Sequence, residues 1–125
     1  MGTIKKLPDA EFDIMKVIWA NKAPVTTSII MQQLGSERSW KAQTVVSLML
    51  RLAKRGFIRS EKNGKENLYF PLIEKNDYLN FETSDFIERF HGNSFTSLVA
   101  RLYDGNKIKD IDLDQLTTWL KEKKE

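Results

Sequence analysis

Between Arg38 and Lys65 the chain carries eight Lys or Arg and a single acid, Glu61. Within that stretch Gln43, Thr44, Ser47, Arg51 and Lys54 recur at steps of three and four residues, so on a helix they share one polar face. Those residue types suit the edges of DNA bases. A glutamine can bond adenine N6 and N7 together, Thr44 and Ser47 can reach bases or phosphates, and Val46 can meet a thymine methyl. Arg51 and Lys54, further along, suit phosphate oxygens. Trp40 and Lys41 sit just before this run, Trp40 as a brace against the backbone. Lys62 and Lys65 flank Asn63-Gly64, where a turn would carry them to flanking phosphate or the minor groove. The same spacing also describes a merely solvated helix face. Val46 and Leu50, toward its open side, fit either a methyl contact or a protein interface.

Such a face needs a scaffold. Pro8-Asp9 starts a first helix, with Glu11 and Asp13 in the turn where carboxylates favour the positive end of the dipole. Phe12, Met15, Ile18 and Trp19 predict its buried stripe, and Asn21 to Pro24 breaks it. Thr26 or Thr27 caps a second helix, with Ile29, Ile30 and Leu34 inward and Gly35 as its stop. The reading helix spans Lys41 to Arg55, burying Val45, Leu48, Met49 and Leu52, with Gly56 as its left-handed exit. Phe57–Lys62 and Lys65–Phe70 read as strands. Asn63-Gly64 between them predicts a type I′ turn with both residues at positive φ, and Pro71 ends the second strand. A helix followed by a basic hairpin is the sequence form of a winged helix-turn-helix.

Charge divides the chain. Residues 1–74 hold 12 basic and 7 acidic side chains, a net of +5, while residues 75–125 hold 8 and 10, a net of -2. We therefore expect a winged-helix DNA-binding domain over 1–74 and a helical domain over 75–125. In the second part Asp77–Arg89, Ser94–Tyr103 and Asp112–Lys124 read as short amphipathic helices, the last carrying Leu113, Leu116, Trp119 and Leu120. Three such helices in about fifty residues make a poor independent core, so their apolar faces are expected to close against a second copy.

Composition excludes several classes of function. The 125 residues are 41% hydrophobic with mean hydropathy -0.44, enough for a core. No apolar run approaches the ~18 residues of a membrane span, and Met1–Leu7 lacks a signal-peptide core. Zero Cys removes disulfides and Cys-ligated metals, and a cytosolic protein is expected. His91 is the only histidine; Glu88 and Asp85 precede it on one face, an arrangement read as a surface or cap histidine rather than a metal site. No phosphate-cradling Gly-rich loop or Ser-His-Asp set is present. No enzyme activity, catalytic residue, metal or cofactor is expected.

The runs TVVSLMLRLAKRGFI (44–58), EFDIMKVIW (11–19) and LYFPLIEKNDY (68–78) resemble the penicillinase and methicillin-resistance repressors, bacterial winged-helix regulators that hold β-lactamase genes off. SDFIERFHGNSFTSLVARLYDG (84–105) looks like that family's dimerisation segment, so the likeness covers nearly the whole chain. The resemblance implies a homodimer on an inverted-repeat operator. Interlocked C-terminal helices would bury Phe86, Phe90, Leu98, Val99, Leu102 and Leu116, with Trp119 and Leu120 from the last helix. It also implies derepression by a membrane-bound β-lactam sensor-protease that cuts the dimerisation segment. The family's staphylococcal members are cut at an Asn-Phe bond, and the matching place here reads Arg101-Leu102. Where those members start the reading helix with Pro-Lys-Thr, this chain has Ala42-Gln43-Thr44. A related copper-responsive branch carries a Cys-rich tail, which a chain without Cys does not share. Two rivals come from other classes: a regulator released by direct binding of a small molecule, and a winged-helix protein-interaction module that binds no DNA.

Overall fold

The computed structural model describes residues 4–125, so the expectation for Met1–Leu7 falls partly outside it. The described residues form helices α1 (Asp9–Ala20), α2 (Thr27–Ile30), α3 (Ala42–Lys54), α4 (Lys75–His91), α5 (Phe95–Asp104) and α6 (Asp110–Lys124). Strands β1 (Val25–Thr26), β2 (Ile58–Asn63) and β3 (Glu66–Pro71) make one antiparallel sheet in the order β1-β3-β2. The chain is thus mainly helical with a small β wing, as its periodicity predicts. Among the described residues no helix is long and apolar enough to cross a membrane.

Two compact units are present, the first reaching Glu82 and the second running Thr83–Glu125. The first therefore extends past the expected boundary at 74 and takes in the opening turns of α4. Tyr78 explains why: it is fully buried, with its ring centroid 5.5–5.8 Å from those of Phe12, Trp19 and Phe57, and 6.1 Å from that of Phe81. Its hydroxyl accepts the Leu7 N–H at 2.8 Å. Burial, reinforced by the Glu82 carboxylate, pushes the phenol well above its ordinary range, so it stays protonated.

The core is otherwise built from α1, α3 and the wing. On α1 the buried face is Glu11, Asp13, Ile14, Met15 and Ile18. The expected stripe is rotated: Ile14 belongs at its centre, while Phe12 and Trp19 lie on its flank against Tyr78. Thr26 caps α2, its hydroxyl accepting the Ile29 N–H at 3.2 Å. The helix then widens into a π-helical turn, Met31–Gly35. Gly35 is not a left-handed stop. A Cβ there would fall 2.7 Å from Met31 Sδ, so Met31 folds back close over Gly35, and the chain turns out through Ser39 at φ 57.

Helix α3 ends as its sequence predicts. Gly56 takes φ +83, its N–H bonds the Ala53 carbonyl, and the Phe57 N–H bonds the Leu52 carbonyl, both at 3.0 Å. Phe57 and Leu52, joined by this motif, are both buried. The β2-β3 hairpin corrects the expected register by one residue. Asn63 pairs with Glu66, leaving Gly64-Lys65 as the two-residue turn. Only Gly64 has positive φ, at 67°, the pattern of a type II′ turn, in which glycine leads. The two-residue β1, pairing Val25 with Tyr69, was not expected.

In the second unit α4 continues to His91, α5 is capped by Ser94, whose hydroxyl accepts the Ser97 N–H, and α6 follows. The Lys109 N–H is bonded by Asp112 at 2.7 Å as α6 begins. No residue from Thr83 to Glu125 is fully buried.

Tyr78 sets a measurable expectation. Tyr78→Ala should cost about 3–5 kcal/mol of unfolding free energy through the lost aromatic packing, and Tyr78→Phe about 1–2 kcal/mol through the unmade Leu7 bond. Urea unfolding followed by tryptophan fluorescence would measure both. A Tyr78→Ala chain as stable as the parent would remove α4 from the core.

Candidate nucleic-acid interface

Helix α3 buries Val45, Leu48, Met49 and Leu52, and this fixes what it shows outward. Lys41, Gln43, Thr44, Ser47, Arg51 and Lys54 are all exposed, and Val46 is 37% exposed. Residues 43, 47, 50 and 54 follow one another along the crest, with Thr44 and Arg51 on one shoulder and Val46 on the other. Lys41 occupies the N-cap position without a side-chain cap, and its carbonyl accepts the Thr44 and Val45 N–H groups at 2.9 and 3.2 Å. Trp40 is half-buried against the core, and its backbone N–H bonds the Gly35 carbonyl at 2.8 Å.

The eight cations of this stretch are not equivalent. Arg55, at the C-cap of α3, bonds Glu11 on α1 at 2.8 Å, and Glu11 is 1% exposed. Arg38, in the loop before α3, pairs with buried Asp13 at 2.7 Å, and Asp13 also holds Lys16 at 3.2 Å. Arg59 lies across the wing, 4.0 Å from the Phe70 ring and 2.6 Å from Glu61, a surface pair of small energetic weight. The remaining five, Lys41, Arg51, Lys54, Lys62 and Lys65, make no ion pair among the described residues. They are the ones free to meet an anion, and all five belong to the set read from sequence. Lys62 lies on β2 opposite Asn67, while Lys65 moves from the expected strand into the turn itself.

The sequence assigns the carboxylates Glu11 and Asp13 to the helix dipole, whereas the structure buries both. A signal existed: Glu11, Ile14, Met15 and Ile18 follow the three- and four-residue rhythm of the core face. A charge on that rhythm implies a buried partner. Nothing local names Arg55, which is 44 residues away.

The residues expected at a second-copy interface lie in the second unit. Phe86 and Phe90 pack with centroids 5.0 Å apart and rings tilted by 40°, and both stay exposed, Phe90 at 63%. Leu98, Val99, Leu102 and Leu116 are half-buried, while Trp119 and Leu120 are exposed. Between α5 and α6 lies an open apolar cleft of about 460 Å³ lined by Phe95, Val99, Tyr103, Leu113, Leu116 and Leu120. Arg101-Leu102 falls in the last turns of α5, Arg101 exposed and Leu102 half-buried. His91 closes α4 with Nδ1 2.9 Å from Ser97 Oγ and its ring 5.4 Å from that of Phe86, a tie between α4 and α5. Among the described residues no cluster of three or more His, Asp or Glu side chains could hold a metal ion.

Comparison with known proteins agrees with this geometry. The model of the penicillinase repressor family matches residues 7–122. A penicillinase repressor of Bacillus licheniformis is 28% identical over 124 residues, spanning 99% of this chain and 96% of its own. A methicillin resistance regulatory protein MecI of Mammaliicoccus sciuri is 28% identical over 118 residues, spanning 94% and 95%. The solution structure of the monomeric form of Bacillus licheniformis BlaI with the blaP half-operator superposes with a TM-score of 0.52. It is 33% identical and covers 62% of this chain and 94% of that one.

The division of cations predicts a division of variants. Arg55→Ala strands a buried Glu11 carboxylate and should cost about 2–3 kcal/mol, below the figure for a fully buried pair because Arg55 itself is partly exposed. Arg51→Ala should stay within about 0.5 kcal/mol of the parent. Thermal and chemical unfolding of the two side by side checks this. Equal stabilities would mean the Glu11 pair does not hold α3.

Proposed function

We propose, from the premise that this chain belongs to the penicillinase repressor family, that it is a sequence-specific DNA-binding repressor acting as a homodimer on an inverted-repeat operator. The observation that carries the reading is the outward face of α3, where polar side chains stand between unpaired cations while its fourfold apolar stripe is fully engaged in the core. Gln43, Thr44, Val46 and Ser47 face the bases. Arg51, Lys54 and Lys41 meet phosphates beside them, Trp40 holds the helix entry in place, and Lys62 and Lys65 bring the wing onto the flanking backbone. The partner is double-stranded operator DNA, and the genes held off are those of β-lactam resistance.

The second unit supplies the other half of the device. No residue from Thr83 to Glu125 is fully buried, and Phe86, Phe90, Leu98, Val99, Leu102, Leu116, Trp119 and Leu120 offer the apolar surface that a second copy would cover. Joining two reading heads makes the second half-site encounter intramolecular, which raises affinity with no new base contact. Proteolysis in this unit, at or near Arg101-Leu102 and by a membrane-bound β-lactam sensor-protease, would undo that gain. Because the bond lies within α5, local unwinding must precede cutting. A cytoplasmic protein follows from this role. The α5-α6 cleft supports a second reading, in which a small apolar molecule releases DNA without cleavage.

Binding of the full chain to duplex DNA from upstream of its own gene, titrated with salt, tests the proposal. Log affinity should fall linearly with log salt, and Arg51→Ala, which removes one phosphate contact from each of two protomers, should weaken binding and reduce the slope by about 1.8 for the dimer. Salt-independent or absent duplex binding would favour the protein-interaction rival. Phe90→Asp should give a monomer that keeps half-site binding and loses most of its affinity for the full repeat. A Phe90→Asp dimer of parental affinity would refute the placing of that interface.

A further inference from the structure

Leu50 is 67% exposed, more than any other large apolar side chain among the described residues. Single exposed leucines are ordinary; what distinguishes this one is its place. The buried stripe of α3 is complete without it, and Leu50 stands on the crest between Ser47 and Lys54. Val46, also exposed, lies one turn before it, so the two side chains are neighbours along the helix. Every other exposed long side chain on this face is polar or cationic, and Ala42–Lys54 contains no acid. An apolar pair framed by unpaired Arg51 and Lys54 complements a polyanion that carries carbon at its centre. In the major groove that carbon is the thymine C5-methyl, the one apolar feature among the base edges.

Building on the DNA-reading proposal above, we infer that Leu50 and Val46 form a specificity-determining pair that recognises the methyl groups of two nearby thymines. One helical turn advances about 5.4 Å, against a rise of about 3.4 Å per base pair, so the two thymines lie one or two steps apart. Leu50 sets the preference at the position deeper along α3, and Val46 at the position nearer its N-terminus. The pair adds little to non-specific affinity, which rests on the five free cations. Its contribution is to the choice of sequence.

Removing only the methyl tests the pair. The full-length chain is used to enrich its preferred duplex from a random-sequence pool, and that duplex is remade with deoxyuridine replacing each thymine in turn. Burial of one methyl corresponds to about a fourfold change in affinity, so in each half-site two thymines one or two steps apart should each show about that loss. Leu50→Ala should erase the loss at one and Val46→Ala at the other, both with parental melting temperatures because these side chains are exposed. Uniform affinity across all the uracil duplexes, or losses that persist in both variants, would overturn the assignment while leaving DNA reading intact. A chain that enriches no sequence and binds duplex without salt dependence would overturn the DNA reading itself, and the pair with it.

Discussion

The reading face depends on how α3 is held against α1, and two carboxylates on α1 hold it. Glu11 reaches Arg55 at the far end of α3, and Asp13 reaches Arg38 in the loop that feeds its near end. Apolar contacts alone would allow α3 to roll, since Val45, Leu48, Met49 and Leu52 make a broad stripe rather than a key. Charged hydrogen bonds tolerate little misalignment. One tie lies at the C-cap of α3 and the other on the loop before it, so both hold the course of the chain through α3 against α1. The energetic gain of such pairs over an apolar substitute is small. What they supply is a single orientation, and with it a single line of side chains turned outward.

The same pairs alter what the charge pattern means. Eight cations and one acid over a short stretch look like a uniformly basic surface. Arg38 and Arg55 are engaged by the buried carboxylates of Asp13 and Glu11, and Arg59 lies over Phe70 on the wing. The field left for a partner comes from Lys41, Arg51, Lys54, Lys62 and Lys65, at the start of α3, along its outer half and on the wing. That is a frame around Gln43, Ser47 and Leu50, with Lys54 closing the far end of the crest. A frame positions a polyanion and leaves the choice of sequence to Gln43, Ser47 and their neighbours.

How much of this was legible in the sequence varied with the range of the interaction involved. The stripe of α3, its glycine exit and the polar face opposite follow from spacing within one helix, and the structure has them as read. The hairpin was legible to within one residue: both Asn-Gly and Gly-Lys satisfy a two-residue turn, and pairing across the strands, which extends to Ile58 and Pro71, decides between them. Strand β1 is too short to leave a pattern. Tyr78 directly follows the polar run Glu74–Asp77, and only the packing of Phe12, Trp19 and Phe57 shows it to be the centre of a cluster. The partners of Glu11 and Asp13 were invisible for the same reason, being set by tertiary distance. Of the candidate site, the residues on α3 and the wing could be named from sequence. Which arginines were already taken could not.

The two units differ in a way that bears on where a repressor of this design can be switched. The first has a closed core, a ring-stacked Tyr78 and ion pairs at both ends of its reading helix, so a signal acting there would have to break several interactions at once. The second has half-buried helices, an open cleft and two packed phenylalanines in contact with solvent. Its order is therefore the easier to disturb, whether by a cut in α5 or by a change in what covers its apolar face. In the proposed dimer the affinity gained from linkage resides in that unit while the choice of sequence resides in the other. A switch placed in the second unit can lower occupancy of the operator by orders of magnitude while leaving the reading head folded. Control would thus act on how two heads are joined, because the head itself is built not to yield.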